Sequence, residues 1–215
     1  MNSPENQSSH PKFLRLWPTQ FMSMRLPGSE NANPILKEFI LSLDDKKSDM
    51  TVDYTAYNFF DLDHPAVKWL QQCCNRAILD YATELGIDYS LEWTLQGWAN
   101  INRLGDYHNL HNHPHSWLSG TYYVSIPDQK NAQTHRSDLN PGAISFFDPR
   151  PQANMNAIKG DGQVDPEFRK LPANGELMIW PAFLHHLVHP NASEEARISV
   201  SFNVVLKWKP QYTPI

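Results

Sequence analysis

Seven of the ten histidines crowd into two short stretches, Asp106-Tyr-His-Asn-Leu-His-Asn-His-Pro-His115 and Leu184-His-His-Leu-Val-His189. Neutral imidazole is the commonest protein ligand for a borderline divalent metal such as iron, zinc or copper. Alternate side chains of an extended segment share a face, so His111, His113 and His115 have the parity to converge on one point. A third ligand from the His185/His186 pair would close a metal site between two distant strands. Eleven residues beyond His186 stands Arg197, which opens Arg197-Ile-Ser-Val-Ser-Phe-Asn203. Alternation puts Arg197, Ser199 and Ser201 on one face, opposite Ile198 and Val200. A guanidinium flanked by hydroxyls suits an anionic ligand, because it can grip a carboxylate with two parallel hydrogen bonds. Isolated histidines are usually surface or packing residues, and His10, His64 and His135 read that way.

These segments need a rigid frame, and the chain after Tyr89 supplies the pattern of one. Leu91–Arg103, Trp117–Ile126, Gly142–Phe147, Gly175–Trp180 and Arg197–Trp208 are apolar or alternating runs set apart by turn residues. Such a series predicts an antiparallel sandwich or barrel. The connections from Pro127 to Pro141 and from Asp148 to Lys170 are polar and irregular, and are candidates for a lid or a substrate-selecting wall. Upstream, Phe13–Arg25 reads as one or two short strands that Pro18 confines to an edge. A helix is predicted from Asn33-Pro34 onward, with Ile35, Leu36, Phe39, Ile40 and Leu43 in register. A second starts within Asp61–Pro65 and carries Val67, Leu70, Cys74, Ala77, Ile78, Tyr81 and Leu85 to a stop at Gly86. Neither helix holds chemistry, so both are expected to buttress the sheet. Residues 1–11 lack apolar content and are expected to be a disordered tail, leaving 12–215 as a single domain with helical support over about 33–86 and a barrel core over about 89–208.

Composition narrows the class. The chain has 215 residues, a formal net charge of −5, 17 prolines and 7 tryptophans, enough for one sizeable core and without the basic block that nucleic acid or an anionic membrane would require. Cys73 and Cys74 are neighbours within the second helix, poorly placed for a structural disulfide, and point to a reducing, cytoplasmic setting. No apolar run is long enough to span a bilayer, and the first twelve residues lack the apolar centre of an export signal. The sequence leaves the oligomeric state open, a homodimer included.

Four motifs together, His111-Asn-His-Pro114, Ser119-Gly-Thr-Tyr-Tyr123, Trp180-Pro-Ala-Phe-Leu-His-His186 and Arg197-Ile-Ser-Val-Ser-Phe-Asn203, resemble those of the iron(II)/2-oxoglutarate-dependent oxygenases, in particular a bacterial and phage branch with H-x-H-P, S-G-x-Y-Y and R-I-S-x-S-F-N. The resemblance runs from about Leu91 to Trp208. It implies a double-stranded β-helix, a jelly-roll, cupin-like barrel with the metal at its mouth and two buttressing N-terminal helices. It further implies Fe(II) held by His111, His113 and His186, and 2-oxoglutarate held by Arg197 with Ser199, Tyr123, Asn102 and Asn100 nearby. Of the adjacent pair, His186 falls in the family register, which leaves His185 and His189 as rim residues. The implied reaction is a dioxygenase hydroxylation of a C–H bond in a small-molecule or peptidyl substrate, using molecular oxygen and releasing succinate and carbon dioxide. One departure stands out: most of the superfamily uses two histidines and a carboxylate, whereas the second position here is His113.

Two other classes fit parts of the pattern. A three-histidine cupin-like metalloenzyme would bind substrate directly to the metal without 2-oxoglutarate, but would have no use for Arg197. A non-catalytic metal-binding barrel would favour a closed, cysteine-rich site over an open histidine-only one.

Overall fold

The computed structural model describes residues 17–44, 57–128, 139–150 and 165–212. Its elements run β1 (Met22–Arg25), α1 (Ser29–Ser42), α2 (Pro65–Glu84), β2 (Trp93–Asn102), β3 (His108–His111), β4 (Leu118–Ser125), β5 (Ile144–Phe147), β6 (Glu167–Lys170), β7 (Glu176–Pro181), β8 (His186–Val188) and β9 (Arg197–Leu206). A five-stranded sheet has the order β1-β7-β4-β9-β2, and a four-stranded sheet the order β3-β8-β5-β6. Every pairing is antiparallel. This is the double-stranded β-helix with two supporting helices.

Strand alternation assigns the two faces of the larger sheet to different work. One face carries Leu95, Tyr122, Leu177, Ile179, Val200 and Phe202, packed with Leu36, Ile40, Val67, Leu70 and Ile78 of the helices. The opposite face looks into the barrel. There the cross-strand pairs are Trp98 with Ser201, Asn100 with Ser199 and Asn102 with Arg197 on β2 and β9, and Thr121 with Ser201 and Tyr123 with Ser199 on β4 and β9. A smaller apolar cluster of Tyr123, Ile144, Phe146, Met178, Trp180 and Leu184 joins the two sheets. The β2–β9 register thus sorts a polar stripe away from a greasy one.

Several sequence expectations are corrected. Helix α1 begins at Ser29, not Asn33, because Gly28 at φ 82° turns the chain into it. The helical support therefore starts nearer 29 than 33. Pro34 lies inside α1, where its missing N–H leaves only the carbonyl of exposed Glu30 without a helical donor. Leu85 is no part of the buried stripe: α2 ends at Glu84, and Leu85 is 45% exposed. Gly86, at φ 76°, receives the chain as it leaves, with Ile87 N–H donating to Ala82 O (3.0 Å) and Gly86 N–H to Thr83 O (2.9 Å), the Schellman pattern that a left-handed glycine permits. Strand β1 extends the barrel sheet outside the expected 89–208 core and sits at its edge. Strand β6 falls inside the Asp148–Lys170 connection, where Glu-Phe-Arg-Lys on a sheet edge carries little apolar signal. The tail over 1–11, and most of both long connections, lie outside the described residues.

His64 is structural, as expected: it caps α2, its Nδ1 accepting from Ala66 N–H at 3.2 Å, and its ring stacks on Phe39 at 4.0 Å. His10 and His135 lie outside the described residues.

Candidate metal centre

Strands β3 and β8 set His111 and His186 opposite one another. His113 follows in the loop after β3, where its backbone N–H donates to Ala182 O at 2.9 Å. Ligand atoms of His111, His113 and His186 all lie within 4.8 Å of one another. Ring centroids stand 4.2 Å apart for His111 and His186, 5.1 Å for His111 and His113, and 5.2 Å for His113 and His186. His115 shares the parity of His111 and His113 but adopts φ 68° and is exposed. That left-handed residue breaks the extended run. His185, adjacent to buried His186, is exposed, as strand alternation requires. His189 is not a rim residue: it is buried, its Nε2 lies 2.7 Å from Ser145 Oγ, and its carbonyl accepts from Arg197 Nη1 at 3.1 Å.

The three clustered imidazoles are presented in the form a metal needs. His111 Nδ1 lies 2.6 Å from Asn109 O, and His186 Nδ1 lies 3.1 Å from Leu184 O. A carbonyl only accepts, so each Nδ1 carries a proton, which in the neutral ring leaves the lone pair on Nε2. His113 lies beside Asn203, whose side chain works against the lowering of its pKa, and stacks on Trp98 at 5.8 Å and 19°. Burial, followed by repulsion from His111, pushes His113 down to about 4, and the same causes hold His186 well below the usual imidazole range. Imidazoles whose burial disfavours protonation, as at His113 and His186, and whose Nδ1 faces a carbonyl, as at His111 and His186, fit a divalent cation, since ligands must give up their protons to bind. Among the described residues this cluster contains no carboxylate. Trp180 lines the same pocket, and its buried indole Nε1–H has no acceptor among the described residues.

Arg197 is 1% exposed, and no described carboxylate pairs with it. Its Nη1 donates to His189 O and its Nη2 to Asn102 Oδ1 at 3.2 Å. Ser199 is its neighbour along the inward face and is also buried. Tyr123 is buried close to Arg197, and desolvation raises its phenol pKa against the pull of that cation. Asn100 turns elsewhere: its Nδ2 donates to Ser201 Oγ at 3.0 Å and Ser199 Oγ at 3.4 Å. Of Asn100 and Asn102, Asn102 is the one that holds the guanidinium.

Sequence reasoning passed over four residues here. His108 lines the pocket although it stands three positions from His111, the wrong parity for a regular strand. His189 reads as a rim residue once the family register selects His186. Asn203 closes the fourth motif, two positions past Ser201, and its inward parity was the available signal. Trp98 lies on the same inward face as Asn100 and Asn102.

Residues 96–203 match a family model described as "Putative 2OG-Fe(II) oxygenase". No curated protein matches the sequence. Among solved structures, the chain resembles a Pseudomonas putida prolyl-4-hydroxylase at 15% identity and a TM-score of 0.55, over 87% of this chain and 88% of that one. It also resembles a Trichoplax adhaerens prolyl hydroxylase, determined in complex with a hypoxia inducible factor oxygen degradation domain peptide fragment, at 13% identity and a TM-score of 0.58, over 86% and 83%. A third is SnoN, a non-heme alpha ketoglutarate dependent epimerase from nogalamycin biosynthesis, at 14% identity and a TM-score of 0.55, over 85% and 77%.

Proposed function

The chain belongs to the 2OG-Fe(II) oxygenase family, an iron(II)- and 2-oxoglutarate-dependent oxygenase, and from that premise we propose which residues hold each group and what reaction they serve. His111 and His186, whose Nδ1 atoms face carbonyls, would offer Nε2 to the iron, and His113 would supply the third imidazole. Arg197 holds the distal carboxylate of 2-oxoglutarate, with Ser199 and Tyr123 beside it and Asn102 steadying the guanidinium. Asn100 contributes through the serines it bonds. Bound there, iron(II) with 2-oxoglutarate and oxygen supplies the oxidising power, and the cosubstrate leaves as succinate and carbon dioxide.

The chain's own part is placement. Three neutral imidazoles offset none of the metal's charge, and Arg197 adds another cation, so a dianionic cosubstrate balances what the barrel leaves uncompensated. Apolar walls from Ile144, Phe146, Trp180 and Leu184 keep water from the charged centre and strengthen the electrostatic contacts within it. The outcome we assign is hydroxylation of a C–H bond in a small-molecule or peptidyl substrate, in a cytoplasmic setting consistent with free Cys73 and Cys74. Among the described residues, no helix is long and apolar enough to cross a membrane.

The observation that carries this assignment is buried Arg197, on the inward face of the larger sheet across the barrel from the metal cluster, with no salt bridge to a carboxylate among the described residues. Removing such a cation from water costs several kcal/mol, and a bound carboxylate would offset that cost. A three-histidine enzyme binding substrate directly would gain nothing from it. The test is succinate formation from 2-oxoglutarate with fresh iron(II) and ascorbate in the absence of any substrate. Slow uncoupled turnover is expected, and the absence of both turnover and cosubstrate binding would favour the cupin-like reading.

A further inference from the structure

The β3–β8 pairing contains an irregularity that puts a fourth imidazole inside the barrel. His108 pairs with Val188 and His111 with His186, three steps on β3 against two on β8. In an unbroken strand, side chains three apart face opposite ways. The extra residue of a bulge resets that parity, and both imidazoles line the pocket, their centroids 6.4 Å apart. His108 is nonetheless outside the cluster of three metal-donor candidates.

Its contact is with Asn102, whose Nδ2 lies 3.1 Å from His108 Nε2. The roles in this contact are forced from the other end. Arg197 offers only donors, so the Asn102 atom 3.2 Å from its Nη2 must be the oxygen. The amide nitrogen then points at His108, whose Nε2 must accept. If the amide turned over, N–H would face N–H at Arg197, and His108 would have to shift its proton to Nε2 to meet the oxygen. His108, accepting at Nε2, supports the amide in the orientation that tethers the guanidinium. With Nη1 on His189 O and Nη2 on Asn102 Oδ1, two of the five guanidinium N–H groups are fixed and three remain, enough to grip a carboxylate through two.

We propose that His108 is a positioning residue for the anionic cosubstrate, acting through Asn102 to hold Arg197 in a ligand-ready orientation; this rests on the assignment of Arg197 to that carboxylate. Loss of that support frees the amide to rotate and the guanidinium to swing, and the ligand must then order both on binding.

The test measures 2-oxoglutarate binding calorimetrically and anaerobically to the iron(II)-loaded protein, with iron affinity measured separately. Loss of an outer hydrogen-bond partner in a metal site typically costs about 10–100-fold, and the support of the guanidinium is expected to fall in the same range. His108→Leu is expected to weaken 2-oxoglutarate binding within that range while leaving iron affinity unchanged, with His108→Phe as the alternative should the leucine variant not fold. His108→Gln, which keeps an acceptor, should recover most of the affinity. On an Asn102→Ala background, His108→Leu should add nothing, because its path runs through Asn102. In uncoupled turnover, KM for 2-oxoglutarate should rise with kcat unchanged. Unchanged 2-oxoglutarate affinity in a folded His108→Leu protein overturns the proposal, as does an equal loss of iron, which would make His108 a ligand. If the parent protein itself binds no 2-oxoglutarate, the assignment of Arg197 fails and this proposal with it.

Discussion

His111 and His186 are direct partners across the β3–β8 pairing, their rings 4.2 Å apart although 75 positions separate them in the chain. His113 reaches the same point from the following loop, while His115 and His185 are exposed. His111→Ala, His113→Ala and His186→Ala are each expected to lower iron affinity by more than about 100-fold, the upper end of what an outer partner costs. His115→Ala and His185→Ala should stay below that. Metal titration of the five variants decides it; normal binding by His113→Ala together with loss in His115→Ala would shift the ligand register by two residues.

His113→Asp should retain iron. A carboxylate is the commoner occupant of that position in sites of this type, and Asn203 and Trp98 leave a polar and a flat wall around it. Iron binding measured beside His113→Ala is the check. Equal loss in both variants would mean that the cavity is shaped for an imidazole.

How much of this was legible in the sequence depended on whether the signal was periodic. Period-two alternation in β9 placed Arg197, Ser199 and Ser201 inward, and the structure has them there. Parity alone could not separate His111 from His115, because φ 68° at His115 is a backbone choice that side-chain type does not announce. The bulge that turns His108 inward breaks the very rule used to look for such residues. Edge strand β6 was hidden for a related reason: its Glu-Phe-Arg-Lys faces solvent on much of its length, so no buried stripe marks it.

Arg197→Ala is expected to weaken 2-oxoglutarate binding by about 2–5 kcal/mol, the usual cost of truncating one partner of a buried charge pair, with iron affinity nearly intact. The two affinities are read separately on folded protein. Parallel loss of both would make Arg197 a structural residue.

Gly120, in the middle of β4, faces the helical core. A Cβ built there would collide with the Phe202 ring and lie 2.8 Å from Met178 O. The ring could swing, but the carbonyl belongs to the neighbouring strand. Gly120→Ala is therefore expected to destabilise the fold by about 1–3 kcal/mol, the usual cost of overpacking. A denaturation midpoint equal to that of the parent would show that β4 and β7 part more easily than their pairing suggests.

The metal-free protein should lose stability in mild acid for a reason located in its barrel. Burial holds His108 and His113 at about 4 in the folded chain, against about 6.5 when unfolded. Above about 6.5 both states are neutral at these positions, and the shift makes no difference. Between about 6.5 and 4 the unfolded chain takes up protons that the folded one refuses, so unfolding gains as the pH falls. In the upper part of that window, about pH 6.5 to 5.5, ordinary carboxylates remain ionised in both states, and the slope belongs to histidines. The urea midpoint should therefore hold steady from about pH 8 to about 6.5 and then decline. His108→Leu and His113→Leu should each flatten the decline by one proton's contribution, whatever they do to the midpoint itself. A parent midpoint that stayed level down to pH of about 5.5 would mean that folded and unfolded states protonate alike, and that the buried nitrogens are not held neutral for a metal.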